Sequence, residues 1–159
     1  METTIVTSRA VDLHEPVRSL LAQKGRAVWS ISPEASVFEA IETMSHKHIG
    51  ALVALNSNRL AGIITERDYA RKVILKGRHS RETRVHEIMS TPVFYITPEH
   101  SIGQCMDLMT TNRIRHLPVL ENDQVVGMIS IGDLIKWVIS AQDDTIRHLN
   151  NYITGSYPA

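Results

Sequence analysis

Two places in the sequence set a carboxylate three residues after a hydroxyl: Thr65-Glu66-Arg67-Asp68 and Ser130-Ile131-Gly132-Asp133. Each follows an apolar run, Gly62-Ile63-Ile64 or Gly127-Met128-Ile129, so each reads as a strand turning into a helix at the hydroxyl. A helix N-terminus offers backbone N–H groups and a partial positive charge. The hydroxyl can turn toward a ligand oxygen. Asp68 and Asp133 would repel a phosphate, whereas a carboxylate suits two vicinal hydroxyls, as it does for ribose in dinucleotide folds. A hydroxyl and a ribose-binding carboxylate between apolar strands describe an adenosine pocket. Helix capping explains the same residues without a ligand, because an N-cap hydroxyl with an acid at N3 approaches the capping-box pattern. The two readings are compatible.

The corners lie 65 positions apart, and that offset extends well beyond them. Residues 28–74 align with 93–139 without a gap, about fourteen of the 47 positions being identical. The chain is a duplicated unit. In the first copy the pattern predicts a strand at 28–31 and a helix behind the capping box Ser36-Val37-Phe38-Glu39, with Val37, Ala40, Ile41 and Met44 on one face. It continues with a strand at 51–55, a turn at Asn56-Ser57-Asn58, a strand at 60–64 and a helix from Thr65 to about Lys76, stopped by Gly77. The second copy predicts a strand at 93–96, a helix behind Ser101-Ile102-Gly103-Gln104, strands at 117–120 and 125–129, and a helix from Ser130 to about Ala141. Pro118 costs one ladder hydrogen bond and places its strand at an edge. Outside the copies, Pro16 opens a helix with Val17, Leu20 and Leu21 on its apolar stripe and Gly25 at its end. This helix packs on the repeat core or at a subunit contact. A last amphipathic helix should turn Ile146, Leu149 and Ile153 inward. The expected divisions are an arm and helix at 1–25, repeats at 26–76 and 93–141, a linker at 77–92 and a C-terminal helix and tail at 142–159.

Each copy is β-α-β-β-α and too small to close a core alone. The expected class is α/β, in the mixed α+β sense, with two repeats packed by pseudo-twofold symmetry. The pairs Gly-Ile-Ile-Thr-x-x-Asp and Gly-Met-Ile-Ser-x-x-Asp, with Arg113-Ile114-Arg115-His116-Leu117-Pro118-Val119, resemble the CBS domain, and the tandem resembles a Bateman module. The likeness covers about residues 26–141 and is nearest to stand-alone CBS-pair proteins of bacteria and plant mitochondria. It implies that the aspartate holds ribose. It also implies that the first strand and the segment before the second line the base: Ile31 with Ile49, Gly50 and Ala51 in one cleft, Ile96 with Ile114, Arg115 and His116 in the other.

The copies differ where it matters. Arg115 and His116 stand opposite Gly50 and Ala51, so one half supplies charge and the other room. Arg67, opposite Gly132, could hold a phosphate by charge-assisted hydrogen bonds. AMP suits a compact cleft; NAD or NADH would use the wider first cleft; ATP and S-adenosylmethionine also belong to the candidate set. The function implied is an adenine-nucleotide-sensing regulatory module acting through a partner protein, with a homodimer paired through helices such as that carrying Ile135, Val138 and Ile139. The alternative is a scaffolding homodimer with unused clefts.

Other chemistry finds little support. Net charge is zero with 43% hydrophobic and 21% charged residues, so no global field draws the chain to nucleic acid or membrane. No apolar run reaches membrane-helix length. His46-Lys47-His48 has the wrong spacing for a metal on one helix face. No P-loop, nucleophile elbow or paired carboxylate appears, so no enzyme is expected. The single cysteine, Cys105, stands where the first copy has Ala40 and reads as a core residue. Its isolation and the absence of a secretory pattern favour a cytoplasmic protein.

Overall fold

The structure, a computed structural model, describes residues 12–154, less the side chains of 145, 148, 149 and 152–154. The chain runs α1 (Val17–Lys24), β1 (Ser30–Ile31), α2 (Val37–Lys47), β2 (Ala51–Asn56), β3 (Arg59–Thr65), α3 (Glu66–Tyr69) continued by a π-helical turn (Ala70–Ile74), α4 (Val85–Ile88), α5 (Ile102–Asn112), β4 (His116–Glu121), β5 (Gln124–Ser130) and α6 (Ile131–Thr154). The fold is mixed α+β, with the duplication visible throughout.

Local chemistry accounts for the repeated elements. Ser36 and Ser101 cap α2 and α5 in reciprocal capping boxes with Glu39 and Gln104. Both helices end on a left-handed residue, His48 or Arg113, each at φ 54°. Two-residue turns with positive φ, Ser57-Asn58 and Asn122-Asp123, close the β2–β3 and β4–β5 hairpins. Val37, Ala40 and Met44 of α2 and Ile102, Cys105 and Met109 of α5 are buried, with Ile41 and Met106 packed partly buried beside them.

The repeats exchange helices. Val37, Ala40, Met44, Leu52, Ile64 and Val73 form the first core, completed by Val85 and Ile88 of α4, the helix that precedes the second repeat. Ile96, Ile102, Cys105, Met109, Leu117 and Ile129 form the second core, completed by Val17, Leu20 and Leu21 of α1. Equivalent backbone bonds dock the two helices: Val17 N to His100 O and Arg18 N to Pro98 O, Val85 N to Ala35 O and His86 N to Pro33 O. Glycines make the room. A Cβ at Gly62 would lie 2.5 Å from Met89 Sδ, and one at Gly127 would lie 2.7 Å from Leu21 Cδ2.

Three expectations need correction. The strand expected at 28–31 is confined to Ser30–Ile31, paired parallel with β2, and its counterpart at 93–96 shrinks to one bridge, Ile96 to Val119. Pro118 explains the difference. In the first repeat the Val53 N–H donates to Trp29 O at 3.3 Å; Pro118, at the matching position, has no N–H to donate to Phe94. Its carbonyl still accepts from Ile96 N at 3.0 Å. The helix expected from Thr65 to Lys76 changes register at Ala70, where Leu75 N reaches Ala70 O at 3.1 Å. Finally, the last two expected helices are one continuous α6, because no glycine or proline interrupts residues 133–154. Its described contribution to the second core is Leu134 and Trp137. Ile146, beyond them, is exposed at 54% rather than turned inward. The Leu149 and Ile153 side chains lie outside the described residues. Among the described residues no helix is long and apolar enough to cross a membrane.

Candidate functional site

At each strand-to-helix corner the carboxylate closes the cap. Asp68 Oδ2 accepts from Thr65 N at 3.0 Å and Thr65 Oγ1 at 3.1 Å, while Asp68 N donates back to Thr65 Oγ1 at 3.1 Å. Asp133 Oδ2 accepts from Ser130 N at 2.8 Å and Ser130 Oγ at 3.0 Å, and Asp133 N donates to Ser130 Oγ at 3.2 Å. The first helical amides are also used: Glu66 N donates to Gly50 O at 3.1 Å and Ile131 N to Arg115 O at 2.9 Å. The helix starts therefore offer an anion fewer N–H groups than the sequence suggested. A phosphate here would depend on side chains.

The first corner opens on a cavity of about 490 Å³, within the range of small-molecule sites. Both repeats build it. Gly50, Ile63, Thr65, Glu66, Arg67, Asp68, Arg71 and Lys72 come from the first; Val93, Phe94, Arg113, Ile114, Arg115 and His116 come from the second; Ser90 and Pro92 come from the segment that follows α4. Five arginines or lysines face two acids. Asp68 is buried, and its other oxygen, Oδ1, meets Ser90 Oγ at 3.2 Å and Lys72 Nζ at 3.0 Å. Arg67 Nη1 donates to Arg113 O at 3.0 Å and ties the repeats together at the cavity wall.

The sequence-based assignment divides accordingly. Gly50, Thr65, Arg67, Asp68, Ile114, Arg115 and His116 share this cavity, so Gly50 and Ile114–His116 do not serve separate clefts. The His116 ring stands beside Gly50: its Cε1 would lie 3.6 Å, an ordinary contact, from a Cβ there. Ile31 and Ile49 pack against the first core, Ala51 is buried, and Ile96 is wholly buried in the second core. None of these four lines either cavity described here; Ile31, Ile49 and Ile96 pack into the hydrophobic cores instead. Sequence reasoning did not name Ser90, Phe94 or Arg113 as site residues. Phe94, 49% exposed, presents an aromatic face, and only its alignment with Trp29 could have marked it. Arg71 and Lys72, which also line the cavity, were not named either. Of the basic residues that follow them, Arg78 pairs with Glu87 and Arg81 stacks on Phe38.

The second corner is different. Lys24 Nζ, from the end of α1, lies 2.6 Å from Asp133 Oδ2 and 2.5 Å from Met128 O. The adjoining cavity, about 320 Å³, is lined by Leu20, Gln23 and Lys24 of α1 and Asp133, Lys136, Trp137 and Ser140 of α6. Burial works against the Asp133 charge, but the Lys24 ammonium and the Ser130 amide outweigh it and hold the carboxyl below its ordinary range. His116 pairs across the hairpin with Ser130. Burial pushes its pKa down, and Lys24, Arg115 and Arg67 add to the effect against the opposing pull of Asp133. The thiol of Cys105 is pushed up to about 11 by burial, as befits a core residue. Among the described residues no group of three or more histidine, cysteine or acidic side chains could hold a metal ion.

The CBS domain family model matches residues 24–75 and 85–140. The mitochondrial CBS domain-containing protein CBSX3 of Arabidopsis thaliana is 38% identical over 151 residues, covering 89% of this chain and 73% of that protein. A solved protein with CBS domains from Burkholderia ambifaria superposes with a TM-score of 0.77 at 46% identity, covering 79% of this chain and 95% of the other. The CBS domain pair of the protein MJ0100, solved with 5′-methylthioadenosine and S-adenosyl-L-methionine, superposes with a TM-score of 0.69 at 22% identity, covering 77% and 94%.

Proposed function

The chain belongs to the CBS-domain family, and from that premise we propose that it is a non-enzymatic regulatory module that takes an adenine nucleotide in the cleft around Asp68 and signals to a partner protein. One observation carries this reading: the two oxygens of Asp68 have separate tasks. Oδ2 caps α3, while Oδ1 stands with Ser90 and Lys72 on a cavity wall shared by both repeats. A ribose meeting Oδ1 leaves the cap intact. The surplus of cations around the cavity favours a ligand with phosphate over one carrying a sulfonium. AMP is therefore the first candidate and NAD or NADH the second; ATP satisfies the charge, and S-adenosylmethionine least so. Phe94 offers the base a stacking face. The MJ0100 neighbour supports adenosine only as a ligand this fold can take.

A ligand shifts the module only by binding one arrangement better than another. Arg67 and Arg113, joined across the repeats beside the cavity, are placed to feel a phosphate. Exposed Ile135 and Ile139 on α6, with Ile74 and Leu75 at the end of the π-helical turn, favour a homodimer formed through helices. Cysteine usage favours the cytoplasm, although the Arabidopsis relative is mitochondrial. The second reading is a scaffolding homodimer with unused clefts. The complete capping boxes at both corners favour it, since they account for Thr65, Asp68, Ser130 and Asp133 without a ligand.

Thermal unfolding of ligand-stripped protein with AMP, ATP, NAD, NADH and S-adenosylmethionine separates the readings. A ligand at a hundred times its Kd stabilises by about 2.7 kcal/mol. A rise in Tm with AMP is expected; no rise with any of the five leaves the scaffold.

A further inference from the structure

We propose that Lys72 sets a phosphate requirement on the first cleft: a ribose must break the Lys72–Asp68 pair to reach the carboxylate, and only a ligand that also carries a phosphate gives the freed ammonium a new partner. The inference rests on the function proposed above and names the residue that separates a nucleotide from a nucleoside at that site.

Asp68 has little room for a ribose as it stands. A carboxylate offers about four acceptor positions, shared between its two oxygens. Thr65 N and Thr65 Oγ1 use those of Oδ2, Ser90 Oγ uses one on Oδ1 at 3.2 Å, and Lys72 Nζ stands 3.0 Å from the same Oδ1. Two vicinal hydroxyls need two acceptors, so a donor must leave. The Thr65 pair belongs to the cap. Ser90 can stay, because a hydroxyl that donates to the carboxylate can still accept from a ribose hydroxyl. An ammonium has no lone pair to offer. Lys72 is the group displaced.

Its place in the fold gives it somewhere to go. Lys72 lines the cavity with Asp68, its side chain is 44% exposed, and its Nζ also donates to Ile88 O, at the end of α4, at 2.8 Å. That second bond keeps the ammonium at the cavity wall once it leaves the carboxylate. Asp68 is buried, so exchanging an ammonium for neutral hydroxyls gives up a charge-assisted contact where water screens it least. A phosphate on the same ligand returns such a contact; adenosine does not. Trp137 holds the matching place in the second copy, where the Asp133 cap is complete, so capping does not require a lysine one turn after the aspartate.

Calorimetric titration of AMP and of adenosine into the ligand-stripped full chain tests this. The wild type should bind AMP and take adenosine far more weakly. Lys72→Met and Lys72→Gln, which remove the charge, should each bind adenosine about fivefold more tightly than the wild type and prefer AMP less. Lys72→Arg, which keeps a cation, should retain the wild-type preference. A loss of packing alone would weaken both ligands alike and leave their ratio unchanged. Equal affinity of the wild type for AMP and adenosine, or adenosine bound by the neutral variants no more tightly than by the wild type, overturns the inference while AMP binding keeps the proposed function standing. No binding of either ligand by any of the four proteins overturns the inference together with AMP as the ligand. Circular dichroism of each variant confirms that affinity is read on folded protein.

Discussion

Arg67 Nη1 donates to the carbonyl of Arg113 at 3.0 Å, so a side chain at the start of α3 in one repeat is bound to the end of α5 in the other. Both residues line the cavity that holds Asp68. Arg67→Ala should weaken AMP binding about tenfold, roughly 1.4 kcal/mol, by calorimetry. Its Tm should barely move, because the bond is exposed. Arg67→Lys should recover part of the affinity, since it restores charge without the planar fork. An unchanged Kd in Arg67→Ala would remove the residue from the site.

The glycines of β3 and β5 give a paired prediction. Gly62→Ala and Gly127→Ala each force a methyl against a packed side chain, Met89 or Leu21. Overpacking of this kind costs about 1–3 kcal/mol, readable in urea unfolding. Gly62→Ala should also weaken nucleotide binding, because Met89 adjoins Ser90, whose hydroxyl meets Asp68. Gly127→Ala should leave first-cleft affinity alone. Equal effects of the two on binding would contradict the division of the clefts.

Pro118→Val restores the donor that the second repeat lacks. The new amide should bond Phe94 O as Val53 bonds Trp29 O, giving the second repeat its missing parallel pair. Stability should change little, since one bond of about 0.5–1.5 kcal/mol is gained while proline's restraint on the unfolded chain is lost. The readout is hydrogen exchange by NMR: slow exchange at residue 118 is expected, and fast exchange would show that something besides proline limits the strand.

His116 predicts an acid-side loss of stability. Its folded pKa is depressed from 6.5 by burial and by Lys24, Arg115 and Arg67, with Asp133 opposing. The unfolded chain therefore binds the proton more readily. The contribution is fully present above about pH 6.5 and is lost as pH falls from there through the folded value. His116→Gln should flatten the stability profile in that window. Asp133, with its own depressed pKa, acts lower: its contribution is present above 3.8 and lost as pH falls through its folded value.

Much of this was legible because it is local and duplicated. The capping boxes, the two-residue turns, the apolar faces of α2 and α5 and both hydroxyl–carboxylate corners are short-range patterns, and an offset of 65 repeats them. Arg67 and Asp68 could be named as candidates from the corners, and Arg115 and His116 from the family resemblance; the four share one cavity. What sequence could not carry was pairing across the fold. Lys24 lies 109 positions from Asp133, outside either repeat, so no alignment of the copies brings them together. Ile31, Ile49, Ala51 and Ile96 were assigned to clefts by the family resemblance, but an apolar side chain beside a sheet edge can face core or ligand: Ile31, Ile49 and Ile96 face core, and Ala51 is buried. Pro118 was read as an edge signal; its effect on residues 93–96 needed the partner strand.

The central claim is that Asp68 binds ribose with one oxygen while capping α3 with the other. Calorimetric titration of AMP into ligand-stripped wild type, Asp68→Asn and Asp68→Ala tests it most directly, with Tm measured on each. Asparagine retains an acceptor for the Thr65 cap and loses the carboxylate. Asp68→Asn should therefore unfold near the wild-type temperature yet bind AMP at least tenfold more weakly. Asp68→Ala should lose both binding and about 0.5–2 kcal/mol of stability. AMP bound by Asp68→Asn as tightly as by the wild type would contradict the claim and return the carboxylate to capping alone.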